Sequence, residues 1–318
     1  ENNNLNTNNN NNNNTKIDKI NINLKGKNNQ EQEEENKKNT NNSTNKNSNN
    51  DLTPINLNQF YTICNTHEKI DLLFSFLKTH KNSKCIVFLS SCKQVRFFSE
   101  IFKRLKLGMT FLDLHGKQKQ NKRQNIFYTF LNKKNSVLFA TDVAARGVDF
   151  PAVDWVIQLD CPDDISTYIH RVGRTARYKS KGNSLLLVNK KEENLVNFLL
   201  NKNVSIKKIK INSNKVTGLQ PILRSLISEN SEMINLAQKS IKSYLKSIYL
   251  QSNKDIFDLE SIDVQQLSLS YGLVNLPEIK ISRKSENELK NMRKTFLNDN
   301  DDYDSDDNKK KSKLQKLK

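Results

Sequence analysis

Apolar positions along this chain change period several times, and each change marks an element. Residues 84–90 (KCIVFLS) are an unbroken apolar run, β-branched and aromatic, which predicts a buried strand. Residues 92–107 (CKQVRFFSEIFKRLKL) carry apolar positions at helical spacing and predict a helix with Gly108 as its C-cap. The alternation continues with a strand at 109–115, a helix at 118–132, strands at 136–141 and 154–160, a helix at 164–177 and a strand at 182–188. Strands that alternate with helices in this way predict the α/β class, a parallel sheet wrapped by helices with binding loops at the strand C-termini.

The character changes after about residue 190. A lysine-rich, strand-like piece at 204–211 (VSIKKIKI) precedes a helical segment. Residues 233–250 then read as a long helix, and 264–279 as a shorter one ending near Gly272 and Pro277. Ile234, Leu236, Ile241, Leu245, Ile248 and Leu250 are too many aliphatic side chains to leave in water. This stretch is expected to pack on the sheet domain as a helical appendage.

Composition sharpens the boundaries. Hydrophobic residues make up only 35% of the 318, and the deficit is local. Residues 1–52 are dominated by asparagine, and 298–318 join an acidic block to a basic one; both are expected to be disordered. Between them the chain divides into a sheet domain (53–190), a connecting segment (191–231) and the helical extension (232–297). A net charge of +18 points to a polyanionic partner, nucleic acid above all, against solvated lysines alone. Cys64, Cys85, Cys92 and Cys161 are scattered with no metal-like pair, which predicts free thiols. No apolar run approaches membrane-spanning length and no secretory leader is visible, so no membrane partner is expected. The first residue is Glu1, consistent with a piece of a longer chain.

Candidate chemistry gathers in three loops, each after a strand. The first is GKQKQNKRQ (116–124), a basic turn entering a helix. The second is TDVAARGVDFP (141–151), with a threonine, two aspartates, an arginine and a glycine in one connection. The third is HRVGRTAR (170–177), where Arg171, Arg174 and Arg177 recur at three-residue intervals with no acid among them. On a helix that spacing fans the guanidiniums over one face, either as a solvated basic face or as an anion site. Arginine in a lysine-rich chain favours the anion, because its planar fork binds phosphate in two places at once.

The segments IVFLSS (86–91), LHGKQKQNKR (114–123), ATDVAARGVDF (140–150) and YIHRVGRTAR (168–177) resemble, in order and spacing, the motifs of the second RecA-like domain of DEAD-box RNA helicases. The resemblance covers about residues 60–188, and its wording is most similar to the nucleolar ribosome-biogenesis subgroup. Residues 237–273 are similar to that subgroup's small C-terminal extension.

The resemblance implies a fold, an RecA-like parallel sheet, and a set of roles. Arg174 and Arg177 match the arginine fingers that reach the terminal phosphates of ATP. Arg171 matches the residue that pairs with an acid and holds the loop; Asp149 is expected to supply a contact to the ribose and to those arginines. Gly147 joins this nucleotide set, and His170 is expected to couple it to RNA. Ser90, Gly116, Arg123 and Thr141 match contacts to the RNA sugar–phosphate backbone. No phosphate loop ending in Gly-Lys-Thr and no Asp-Glu-Ala-Asp string occurs in the 318 residues. The resemblance places both on a first RecA-like domain, a partner that would also hold most of the Mg²⁺. It further implies pre-rRNA or snoRNA duplexes and pre-ribosome proteins as partners, and a location in the nucleus and nucleolus. The expected whole is an ATP-dependent RNA helicase of which this chain alone is inactive. The alternative is a non-catalytic RNA-binding scaffold on the same fold; a DNA translocase fits the wording less well.

Overall fold

A computed structural model describes residues 52–145, 150, 153–177, 180–275 and 277. The two terminal segments expected to be disordered lie outside the described residues, apart from Leu52.

Five of the seven strands among the described residues fall where the apolar runs predict them: β2 (Lys84–Phe88), β3 (Thr110–Leu114), β4 (Ser136–Ala140), β5 (Trp155–Gln158) and β6 (Gly182–Val188). The others are β1 (Leu57–Ile63) and the two-residue β7 (Lys207–Lys208). They form one sheet in the order β3-β4-β2-β5-β6-β1-β7, and every pair is parallel. Alternate residues of β2 feed two cores. Cys85 and Val87 face one helix layer, while Ile86 and Phe88 face the other, so the strand is apolar throughout.

The helices are α1 (Lys69–Thr79), α2 (Cys92–Arg104), α3 (Gln120–Asn132), α4 (Asp142–Ala145), α5 (Ile165–Val172), α6 (Glu193–Asn201), α7 (Gln220–Ser228), α8 (Ser231–Tyr249) and α9 (Val264–Ser270). α2 stops before the expected Gly108 cap: Leu105 caps it, and Lys106 already turns left-handed at φ 49°. α5 corrects the sequence reading more seriously. The expected helix over 164–177 ends at Val172, with Gly173 as its cap. Arg174 and Arg177 therefore do not share a helix face with Arg171. A tertiary bridge competes with the helix and wins: Val153 pairs with Thr175, the Val153 N–H donates to the Arg174 carbonyl at 3.3 Å, and the Thr175 hydroxyl donates to the Val153 carbonyl.

The strand-like piece at 204–211 shrinks to β7, although Ile206 and Ile209 are buried. The segment read as a connector, 191–231, also supplies α6, whose Leu195, Val196 and Leu199 are buried in the same core as the sheet.

The extension is docked. α8 lies along α2, and Met233, Ala237, Ile241, Tyr244, Leu245 and Ile248 join the core cluster that contains Val87 and Phe97. Of the positions expected to be buried, Ile234 and Leu236 are only partly so. All four cysteines are buried and outside any disulfide, and burial pushes the Cys64 thiol up to about 12.

Candidate nucleotide and nucleic-acid interface

Because β3, β4, β2 and β5 are neighbours, the loops that leave their C-terminal ends share one edge of the sheet. Backbone bonds knit these exits together. Leu89 N–H donates to the Ala140 carbonyl at 3.0 Å, and Thr141 N–H to the Leu114 carbonyl at 3.3 Å. Ser90, Gly116 and Thr141, three of the four expected RNA contacts, are thereby brought to adjacent strand ends. The fourth, Arg123, stands in the first turn of α3, where its N–H donates to the Lys119 carbonyl at 3.0 Å.

The loop that carries Gly116 is built by Gln118. Its amide donates to the Asp113 carboxylate at 2.7 Å and to the Asp113 carbonyl at 3.0 Å, while its carbonyl accepts the His115 N–H at 3.2 Å. His115 itself is 5% exposed, and its Nδ1 has no hydrogen-bond partner among the described residues. Burial first, then the charges of Arg96, Lys122, Lys117 and Lys93, push its pKa down to about 3. Those four cations crowd the edge where Ser90 and Gly116 lie, and a field of that sign attracts a phosphate backbone. Lys93 and Arg96 were not singled out in the sequence, although their spacing on the helix that follows β2 was there to read.

The arginine-bearing segment runs from the C-terminal end of β5, where Arg171 meets the Asp160 carbonyl, back to its N-terminal end, where Thr175 pairs with Val153. Arg171 is 2% exposed and forms a two-point pair with Asp142, Nε to Oδ1 at 2.7 Å and Nη2 to Oδ2 at 2.8 Å. Its Nη1 donates to the Asp160 carbonyl at 2.7 Å, and the guanidinium lies 5.2 Å from the centre of the Phe88 ring. Burial opposes that charge, but Asp142, joined by Asp163 and Asp160, outweighs it and the Arg171 pKa rises. Its Nε, Nη1 and Nη2 each bond within the protein, an arrangement suited to holding the loop. Its acid among the described residues is Asp142. Both aspartates stand in the 141–151 loop, and spacing alone does not choose between them.

Beyond the anchor the chain leaves the helix carrying Arg174 and Arg177, both partly exposed. Arg177 is braced from below, with Nε to the Gly173 carbonyl at 2.8 Å and Nη1 to the Phe150 carbonyl at 2.9 Å. His170 is exposed on α5 and bonds to neither set among the described residues. Gly147 and Asp149 lie outside the described residues.

Residues 68–179 match the helicase conserved C-terminal domain, and residues 230–279 match the C-terminal extension of ATP-dependent rRNA helicase SPB4-like proteins. The chain is 49% identical over 227 residues to the ATP-dependent RNA helicase dbp4 of Schizosaccharomyces pombe, covering 71% of this chain and 31% of that protein. It is 44% identical over 232 residues to the probable ATP-dependent RNA helicase DDX10 of Homo sapiens, covering 73% of this chain and 26% of that one. The chain therefore spans about a third or less of the curated relatives it matches. Among solved structures, domain 2 of the DEAD-box helicase Mss116p bound to an RNA duplex aligns with a TM-score of 0.56 at 29% identity, over 70% of this chain and 89% of that one. A larger Mss116p structure, bound to single-stranded RNA and AMP-PNP, aligns with a TM-score of 0.61 at 25% identity, over 80% of this chain and 51% of that one. The chain belongs to the DEAD-box RNA helicases, as their helicase C-terminal domain followed by its C-terminal extension.

Proposed function

We propose that this chain is the C-terminal half of an enzyme that couples ATP hydrolysis to RNA duplex unwinding in pre-rRNA processing. The observation that carries the reading is the buried Arg171–Asp142 pair, which ties the end of α5 to the loop after β4. Thr141, an expected RNA contact, is the chain neighbour of Asp142, and Arg174 and Arg177 follow Arg171 directly, so one anchor serves both sets. In the proposed reaction the two arginines neutralise charge on the transferring phosphoryl group, a role that a preorganised guanidinium fills well. Gly147 and Asp149 join the nucleotide side, with Asp149 on the ribose. Mg²⁺ and the attacking water belong to the first RecA-like domain. Ser90, Gly116, Arg123 and Thr141 hold the RNA backbone, which positions a strand without reading its sequence. The match of residues 230–279 to the extension of ATP-dependent rRNA helicase SPB4-like proteins supports the pre-rRNA part of the reading; snoRNA duplexes, pre-ribosome proteins and a nucleolar location complete the proposal.

RNA binding by this chain tests the reading. The affinity for unrelated single strands of equal length should agree within a few-fold and fall steeply with salt. Sharp discrimination between such strands would rule out backbone recognition.

A further inference from the structure

The extension reaches the proposed RNA edge through a continuous chain of hydrogen bonds. Ser243 on α8 shares a 2.7 Å hydrogen bond with the hydroxyl of Ser91, either of which can donate. Ser91 caps α2: its Oγ accepts the Gln94 N–H at 3.3 Å and lies 3.1 Å from Gln94 Oε1. The Gln94 amide donates to Asp160 Oδ2 at 2.9 Å, and the same carboxylate oxygen accepts the Ser90 N–H at 2.8 Å. The Asp160 carbonyl accepts from Arg171 Nη1 at 2.7 Å. Ser91 and Gln94 are 1% exposed and Asp160 is 4% exposed, so water cannot stand in for a lost partner.

Two further ties come from the extension. The Tyr271 ring, just past α9, stacks on Phe97 of α2 at 4.9 Å and 7°. Burial pushes the Tyr271 phenol pKa up and the Asp160 charge adds to this, while a hydrogen bond with the Gln94 side chain opposes it. Gln251, just past α8, donates to Asp163, the neighbour of the residue that caps α5. The apolar face of α8 already docks the extension, and a buried polar chain adds less to docking than apolar packing of equal volume. What the polar chain does add is geometry at its two ends, the Ser90 amide and the Arg171 guanidinium.

We propose that the C-terminal extension is a positioning device for the RNA-contact loop: Ser243 and Tyr271 hold Ser91 and Gln94, and Asp160 passes that geometry to Ser90 and to Arg171. This rests on the reading of Ser90 as an RNA contact. Asp160, Gln94, Ser243 and Tyr271 are positioning residues, since none is required to touch RNA.

The test uses the 318-residue chain with Ser243→Ala, Tyr271→Phe and, as a control on the RNA edge itself, Arg123→Ala. Three quantities are read: melting temperature, affinity for a labelled single-stranded RNA, and the amide resonance of Ser90. Ser243→Ala and Tyr271→Phe should each weaken RNA binding by about threefold to tenfold, the effect expected of a single lost hydrogen bond. Each should shift the Ser90 resonance in a chain that still melts cooperatively, and Ser243→Thr should restore both. Unchanged RNA affinity in both variants, with binding weakened by Arg123→Ala, overturns the positioning role whether or not the resonance moves. If Arg123→Ala also leaves binding unchanged, the RNA reading of this edge fails and the proposal falls with it.

Discussion

Arg171 and Asp142 meet as a two-point ion pair, with the guanidinium 2% exposed and the carboxylate side chain 24% exposed. Removing one partner of such a pair leaves the other charge desolvated and unpaid by Coulomb attraction. Asp142→Asn should therefore lower stability by about 3 kcal/mol, the lower part of the range for buried pairs because Asp142 is partly wet. Urea denaturation of the chain checks this, and Arg171→Lys should fall short of full stability because one ammonium cannot serve both carboxylate oxygens. Midpoints within error of the unaltered chain would remove Arg171 as the anchor of the loop.

His115 predicts an acid limit. Its pKa is about 3 in the folded chain against an ordinary value of 6.5, so the unfolded chain takes up a proton that the folded chain refuses. The associated stability is full above about pH 6.5 and is lost as pH falls through the interval down to about 3. Between about pH 7 and pH 5, where most carboxylates stay ionised, His115→Asn should show a shallower loss in urea midpoint than the unaltered chain. Equal slopes would mean that His115 is protonated in the fold.

Gly272 lies where α9 meets α7, with φ 79°. A Cβ there would sit 2.7 Å from the Leu223 carbonyl carbon and 2.8 Å from its oxygen, both backbone atoms that cannot swing away. Gly272→Ala should destabilise by about 1–3 kcal/mol and release the extension earlier in limited proteolysis. Ile241→Ala, which empties a fully buried site under α8, should cost about 2–5 kcal/mol. Early release of the extension from the unaltered chain would contradict its docking.

The sheet was legible because its central strands are continuous apolar runs, and the site loops because they follow those runs. β1 was not, since LNQFYTI carries polar residues that the fold satisfies from a distance. Gln59 is 3% exposed, donating to Thr53 Oγ1 and the Ser205 carbonyl and accepting from the Tyr168 hydroxyl. The end of α5 was hidden for a similar reason. Gly173 was the one local stop signal in RVGRTAR, and what holds the chain out of the helix beyond it is Val153, twenty-two residues from Thr175. Asp160 gave no signal either, because its role depends on a Ser90 amide seventy residues away.

The central claim is that the arginines beyond α5 serve the nucleotide and the β2–β3–β4 exits serve RNA. Arg174→Lys in the full-length protein tests it most directly, because Arg177 also braces the backbone and would confuse the result. Lysine keeps the charge and loses the planar fork. RNA-stimulated ATP turnover should drop by a large factor, within the about 10³–10⁵ that an arginine finger contributes in related phosphoryl transfers. RNA affinity measured without nucleotide should stay within about twofold, since the altered side chain makes no proposed contact with RNA. Normal ATP turnover combined with a collapse of RNA affinity would contradict this assignment and move Arg174 to the RNA.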